Sequence, residues 1–145
     1  MRVFLDTSVL ISAVIKQHAD HERAFAVLER IHDKKDEGII SAHSLAEMYA
    51  VLTKLPPPYR HTPEQALLSI EENVLKHFKT VGLVGREYAA LLREAAGSRI
   101  QGGTIYDALL LKGAAKAGAE AIYTLNLKHF QAIALPDVAV KLSAP

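Results

Sequence analysis

The chain has no cysteine among its 145 residues. This absence excludes disulfide bonds and thiolate zinc sites, and it fits a protein of a reducing compartment. An excess of one charge is also missing, because 17 basic and 16 acidic residues leave a formal net charge of +1. Overall charge therefore gives no indication of a nucleic-acid partner, which would have to be bound through a local basic patch or a metal ion.

Long apolar runs are absent as well. None approaches the roughly 18 residues of a membrane-spanning helix, and the start M-R-V-F-L-D lacks the basic and apolar regions of a signal peptide. Half of the residues are hydrophobic and 23% are charged, which is typical of a globular domain. We expect a soluble, cytoplasmic protein with no membrane association, folded as a single domain over residues 1–145.

The order of apolar segments predicts strands that alternate with helices. Strands are predicted at Val3–Leu5, Gly38–Ser41, Thr80–Leu83, Ala121–Thr124 and, at an edge, Val138–Leu142. Helices are predicted over Val9–Ile15, after Asp20, over Ala42–Lys54, from Thr62 to about Phe78, over Arg86–Ala96, over Thr104–Ala117 and in a short turn at Asn126–Phe130. The alternation indicates an α/β fold in which helices cover both faces of a parallel sheet.

Three acids occupy related places in this pattern. Asp6 follows the first strand, Glu47 lies near the start of the helix after the second strand, and Asp107 lies in the first turn of the helix before the fourth strand. Each has a simple explanation as a helix cap, because Asp6 precedes a helix and Ser44/Glu47 and Thr104/Asp107 have capping-box spacing. Each is nevertheless embedded in apolar sequence, which a surface cap does not require.

Carboxylates that converge in a poorly solvated site repel one another and take up protons unless a cation is present. Mg²⁺ or Mn²⁺ relieves that repulsion, since both ions prefer oxygen ligands. Such an ion polarises a phosphodiester and lowers the pKa of a bound water. The acids therefore point to metal-dependent hydrolysis of phosphodiesters.

Four segments, in this order, carry a resemblance to a known family: L-D-T-S-V-L-I, S-L-A-E-M-Y-A-V-L, G-G-T-I-Y-D-A-L and Y-T-L-N-L-K-H-F. Together they resemble the PIN domain, and more narrowly the VapC toxins of bacterial and archaeal toxin–antitoxin pairs, over essentially the whole chain. The resemblance implies an α/β/α sandwich with a five-stranded, mostly parallel sheet. It also implies a Mg²⁺- or Mn²⁺-dependent endoribonuclease, usually a homodimer, that is held inactive by a small VapB-like antitoxin protein.

By position, Asp6, Glu47 and Asp107 match the family's three core acids. From the placement of the three acids, we expect Asp6 and Asp107 to be the main metal ligands and Glu47 to bind the ion directly or through water. The family's fourth acidic position falls on Asn126, in the segment Thr124-Leu125-Asn126. An asparagine can still offer a carbonyl oxygen but brings no charge, so the number of metal ions is left open at one or two.

Several other side chains are candidates by resemblance or by proximity in sequence. Ser8 or Thr7 resembles the hydroxyl that orients the acids or a water in the family, and Thr104 is a further candidate. Arg99 and Lys128 lie close in sequence to Asp107 and Asn126 and could contact RNA phosphates. The alternative for each basic residue is a solvated surface charge.

Surfaces for the antitoxin or for a second copy are less well defined by the sequence. Phe25, Leu28 and Tyr49 are candidates for such surfaces, although a place in the core is the simpler explanation for each. His43 and His129, near Glu47 and Asn126, are ambiguous between substrate contact and surface positions.

Three alternative functions remain open at this point. Phosphatases with an aspartyl nucleophile also begin with a strand that ends in Asp, but they place a second Asp two residues later, where this chain has Ser8. A catalytically weak interaction module of the same fold is supported by Asn126 and the near-neutral charge. A DNA nuclease of the same fold is the third alternative, since RNA is indicated by the toxin resemblance alone.

Overall fold

The computed structural model describes residues 1–145, and its centre is one five-stranded sheet in the order β3-β2-β1-β4-β5. The strands are β1 (Arg2–Leu5), β2 (Glu37–Ser41), β3 (Phe78–Val81), β4 (Ala121–Tyr123) and β5 (Leu142–Ser143). Every neighbouring pair is parallel. The predicted five-stranded parallel sheet is therefore confirmed.

Eight α-helices connect and cover the strands. They are α1 (Thr7–Val14), α2 (His21–His32), α3 (Ala42–Leu52), α4 (Pro63–Ile70), α5 (Gly85–Gly97), α6 (Thr104–Lys116), α7 (Leu127–Ile133) and α8 (Pro136–Ala139), with a π-helical turn at Glu71–Leu75. They complete the predicted α/β/α sandwich. None of the helices combines the length and apolar character needed to span a lipid bilayer.

The central strand is apolar on both faces because helices cover both faces of the sheet. Successive side chains of a strand point to opposite faces. Val3 and Leu5 accordingly join a cluster formed largely by residues of α1 to α4, whereas Phe4 joins a second cluster with Leu110 of α6 and Ile122 of β4. A continuous apolar run in β1 is what this two-sided burial requires.

The strand order reverses at β1. From β1 the chain continues outward through β2 and β3 on one side, and β4 and β5 fill the other side. Such a reversal of strand order is where open α/β sheets bind ligands, outside the carboxyl ends of the strands. The backbone N–H of Asp6 donates to Tyr123 O at 3.0 Å, which extends the β1–β4 pairing up to this residue.

Two predicted boundaries around the third strand are wrong. The helix predicted from Thr62 to Phe78 ends in the π-helical turn at Leu75, and Phe78 is the first residue of β3, so this strand begins before the predicted Thr80. Phe78 pairs with Gly38 of β2 in the sheet register. Its ring occupies the space next to Gly38 that a side chain at position 38 would fill. The helical spacing of Leu67 in this segment predicts a side chain that faces the core, but Leu67 is exposed.

The predicted fifth strand is also shorter than expected, although its edge position is correct. Residues Pro136–Ala139 form α8, and only Leu142–Ser143 pair with β4. Proline at the first position of a helix is compatible with helical geometry and lacks only an N–H that has no partner there. The helical turn predicted at Asn126–Phe130 exists, with Asn126 as the residue before α7, which extends to Ile133.

Candidate active site

Asp6 lies at the carboxyl end of β1 and is almost fully buried, with 4% of its surface exposed. It occupies the position before α1, but its side chain makes no capping hydrogen bond to that helix. Its Oδ2 instead accepts hydrogen bonds from Ser8 Oγ at 2.6 Å and from Thr124 Oγ1 at 2.8 Å. The explanation of Asp6 as a simple helix cap therefore does not hold.

The loop after β4 fixes the two hydroxyl groups that hold Asp6. The backbone N–H of Asn126 donates to Thr124 Oγ1 at 3.0 Å, and that of Leu125 donates to Ser8 Oγ at 3.2 Å. Each hydroxyl accepts from the loop, so its single proton is available for Asp6. Sequence reasoning did not single out Thr124 as a site residue, although a threonine at the carboxyl end of a predicted strand was the available signal.

Glu47 lies on α3 beside the hydroxyl of Thr7. The first residue before α3 is Ser41, whose Oγ accepts from His43 N, so the predicted Ser44/Glu47 capping box is absent. Thr7 Oγ1 donates to Glu47 Oε1 at 3.2 Å and lies 2.9 Å from the buried Ser44 Oγ. His43 Nε2 lies 3.2 Å from Glu47 Oε1.

Asp107 lies in the first turn of α6, where the preceding Gly103 offers no side-chain cap and Thr104 forms no capping box. Its Oδ2 is 3.6 Å from His129 Nδ1 on α7. About a quarter of the Asp107 side chain is exposed, compared with 36% for Glu47. These two acids are thus the ones that solvent can reach.

Burial raises the pKa of all three carboxyl groups above its ordinary value. For Asp6, hydrogen bonds from Ser8 and Thr124 oppose the effect of burial on the pKa. For Glu47, the pKa is also lowered by His43 and raised by the charges of Asp6 and Asp107. For Asp107, the charge of Asp6 adds to burial in raising the pKa, while His129 lowers it. The acids are therefore electrostatically coupled through one site.

The other predicted site residues divide into two groups. Ser8 and Thr7 contact the acids, as described above. Asn126 contributes a backbone N–H to the site, and its exposed side chain makes no hydrogen bond. The side chains of Thr104, Arg99 and Lys128 form no hydrogen bond or ion pair with the acids. Arg99 and Lys128 are exposed, and Arg99 has a left-handed backbone φ of 55°.

The donor groups of the site fit a hard divalent cation, since the carboxylates and hydroxyls offer only oxygen. No three acidic or histidine side chains lie close enough together to form a ready-made metal cluster. Mg²⁺ is commonly bound by one or two carboxylates and retains several waters, so it does not need three converging protein ligands. The site is compatible with such an ion.

A model of the PIN domain family matches residues 3–135, which is nearly the whole chain. The match includes all of β1 except Arg2, both helices that carry Glu47 and Asp107, and the loop after β4. The chain therefore belongs to the PIN domain family.

Within that family, the chain is similar to VapC proteins. It is 33% identical to Ribonuclease VapC40 of Mycobacterium tuberculosis over 94% of this chain and 96% of that protein. Its fold matches the sarcin-ricin loop cleaving toxin VapC20 of Mycobacterium tuberculosis, with a TM-score of 0.68, 16% identity and coverage of 92% of this chain and 96% of the other. It also matches VapBC2 from Rickettsia felis bound to a promoter DNA fragment, with a TM-score of 0.66, 21% identity and coverage of 99% and 98%.

Proposed function

We propose that this chain is an endoribonuclease toxin of the VapC type, in which residues 1–145 act as one PIN unit. The observation that carries the proposal is the coupled set of carboxylates at the carboxyl edge of the sheet, without a lysine or arginine to neutralise them. Similarity to Ribonuclease VapC40 over almost the full length of both proteins indicates RNA as the substrate.

Asp6 and Asp107 would hold a Mg²⁺ or Mn²⁺ ion, with Glu47 contributing directly or through a water. When bound, the ion would supply charge stabilisation at the scissile phosphate and a lowered pKa for the attacking water. We propose no protein ligand for a second ion, because the fourth family position is the neutral Asn126.

The chain's own residues have distinct tasks in this proposal. Ser8 and Thr124 occupy Oδ2 of Asp6 and so fix the orientation of its carboxylate. Thr7 orients Glu47 in the same way from α1. Asp107 and Glu47, which are partly exposed, face the substrate side. Arg99 and Lys128 are exposed and lie close in sequence to Asp107 and Asn126, respectively. We propose that both contact phosphates of the RNA.

We also propose a VapB-like antitoxin as the physiological partner, supported by the similarity of fold to VapBC2. A homodimer and a cytoplasmic location are parts of the same proposal. Exposed Phe25, Tyr49, Leu67 and Leu68 could serve protein contacts, whereas Leu28, also a candidate from the sequence, is buried in the core. Light scattering of the purified chain, alone and with the co-expressed neighbouring gene product, tests both associations.

The decisive experiment is cleavage of labelled structured RNA, with DNA of the same sequence in parallel, in Mg²⁺, Mn²⁺ or EDTA. We expect metal-dependent cleavage of RNA that disappears in Asp6→Asn, the control for a contaminating nuclease. Cleavage of DNA alone would favour the DNA nuclease. Absence of both cleavage and Mn²⁺ binding in the folded protein would favour the interaction module.

A further inference from the structure

A stacked aromatic pair borders the candidate active site. The rings of His43 on α3 and Tyr106 on α6 are nearly parallel, with an angle of 4° between their planes and centroids 5.0 Å apart. His43 also contacts Glu47, and Tyr106 immediately precedes Asp107. The pair therefore has a fixed position relative to two of the three acids.

Tyr106 retains a free aromatic surface in this arrangement. One face of its ring covers His43, yet 52% of the residue is exposed. Its hydroxyl makes no hydrogen bond within the chain. Tyr49, Tyr59 and Tyr88 are also exposed and form no hydroxyl hydrogen bond, so exposure alone does not distinguish Tyr106. Tyr106 differs from them because its ring stacks on a histidine beside the candidate acids.

The charges around the site make a non-ionic contact valuable for binding RNA. Three carboxylates repel the phosphates of the substrate, and the whole chain has a net charge of only +1. Proteins that bind single-stranded nucleic acid commonly add base stacking on exposed aromatic rings to their phosphate contacts. Every nucleobase has a π-face, so such a contact needs no particular sequence.

We propose that the exposed face of Tyr106 stacks on a nucleobase of single-stranded RNA next to the scissile phosphate. His43 is the positioning residue in this arrangement, since it supports the other face of the tyrosine and ties it to Glu47. The inference rests on the proposed ribonuclease function for its location, but its binding part is tested without cleavage.

The test measures the dissociation constant of a short fluorescent single-stranded oligoadenylate in EDTA, where metal-dependent cleavage does not interfere. Tyr106→Ala should weaken binding by about 5- to 150-fold, the range found when one stacking residue is removed. Tyr106→Phe should restore binding, because the hydroxyl has no partner. Tyr88→Ala, at an exposed tyrosine on α5, is the matched control and should bind as the wild type does.

An oligonucleotide with one abasic position, scanned along the chain, identifies the stacked base. At one position, removing the base should weaken binding by the wild type as much as Tyr106→Ala weakens binding of the intact oligonucleotide. Removing the same base should not change the affinity of the Tyr106→Ala variant. Additive losses at every position would overturn the proposal. So would equal binding by Tyr106→Ala and the wild type, equal weakening in the Ala and Phe variants, or no binding by the wild type.

Cleavage kinetics separate this proposal from the proposed function. With the wild type active, Tyr106→Ala should raise KM while kcat changes little, as expected for a binding contact. An unchanged KM in an active enzyme overturns the stacking contact alone. If the wild type binds through Tyr106 but never cleaves RNA, the stacking contact stands and the ribonuclease assignment fails. Thermal melting confirms that each variant is folded.

Discussion

The parallel strands of the sheet all begin on one side, here called the amino edge, and all end on the other, the carboxyl edge. Acidic side chains have opposite surroundings at these two edges. At the amino edge each acid has a basic partner: Asp36 with Arg30 at 2.7 Å and with the N-terminal ammonium at 3.1 Å, Glu37 with Lys79 at 2.9 Å, and Glu120 with Arg2 at 3.7 Å. At the carboxyl edge, Asp6, Glu47 and Asp107 have no lysine or arginine partner, only hydroxyls and histidines.

The pKa values follow the same division. The hydrogen bond from Arg30 lowers the pKa of Asp36, and that from the Arg2 backbone lowers the pKa of Glu120. Burial instead raises the pKa of each carboxyl group at the carboxyl edge. The comparison teaches that one edge pairs its acids with cations, whereas the other holds acids whose charged form burial disfavours, as is common at functional sites. In the proposed function, a divalent cation would bind at that second edge.

The largest expected effect separates the two edges by activity. Asp107→Asn should reduce RNA cleavage more than about 100-fold, since even groups that only support a metal ligand contribute 10- to 100-fold. The matched variant Asp36→Asn, at the amino edge, should cleave at the wild-type rate while melting at a slightly lower temperature. Initial rates and melting curves for the two variants provide the measurement, and equal rates in the two variants would contradict the division.

A smaller effect is expected from the residues that hold Asp6. Thr124→Val removes the hydroxyl at nearly constant volume, so Oδ2 of Asp6 loses one of its two hydroxyl donors. Cleavage and Mn²⁺ affinity should each fall by about 10- to 100-fold, as for other groups that orient a metal ligand. Thr53→Val, at a hydroxyl that bonds only backbone carbonyls of α3, is the control. A loss of the same size in both variants would remove the special role of Thr124.

A packing change near the amino edge should alter the stability of the fold and leave RNA cleavage unchanged. A Cβ on Gly38 would lie 2.6 Å from Ile31 and from the ring of Phe78. Gly38→Ala should therefore lower the unfolding free energy by about 1–3 kcal/mol, as other overpacked sites do. Denaturant unfolding measures this loss, and the folded variant should retain its activity per molecule. An unchanged midpoint would show that β2 and β3 move apart easily.

The smallest effect is a difference in the pH dependence of stability. Where its pKa is raised, a carboxyl group binds more protons in the folded chain than in the unfolded chain. The contribution of Asp6, Glu47 and Asp107 to metal-free stability therefore falls as pH rises from about 4 through their raised pKa values. Asp6→Asn removes one such group, and in EDTA it should lose less stability over this window. Asp36→Asn removes a group with a lowered pKa, whose stabilisation is present above the ordinary pKa and lost as pH falls. Parallel pH profiles for the two variants would contradict this.

Much of the fold was predictable because its determinants are local. The short apolar runs predict the strands, and their alternation with helices predicts the parallel sandwich. Pro63, at the first position of α4, likewise marks where that helix begins. The boundary at Phe78 was not predictable, because its spacing from Val74 continues the helical pattern. Only its pairing with Gly38 across the sheet shows that it belongs to β3.

The candidate site was predictable at its acids and less so at their supports. Asp6, Glu47 and Asp107 were visible because each interrupts an apolar segment. Thr124 was overlooked as a support for Asp6, and Tyr106 as an aromatic contact, because both roles depend on contacts between distant parts of the chain. Thr124, for example, reaches Asp6 across 118 residues of sequence.

Titration with Mn²⁺ tests the central claim most directly, with binding followed by calorimetry in the wild type, Asp6→Asn and Asp36→Asn. The wild type and Asp36→Asn should bind Mn²⁺ with equal affinity and gain thermal stability from it. Asp6→Asn should bind more than about 10-fold more weakly and gain little stability. Equal Mn²⁺ affinity in all three proteins, or none in the wild type, would contradict the account.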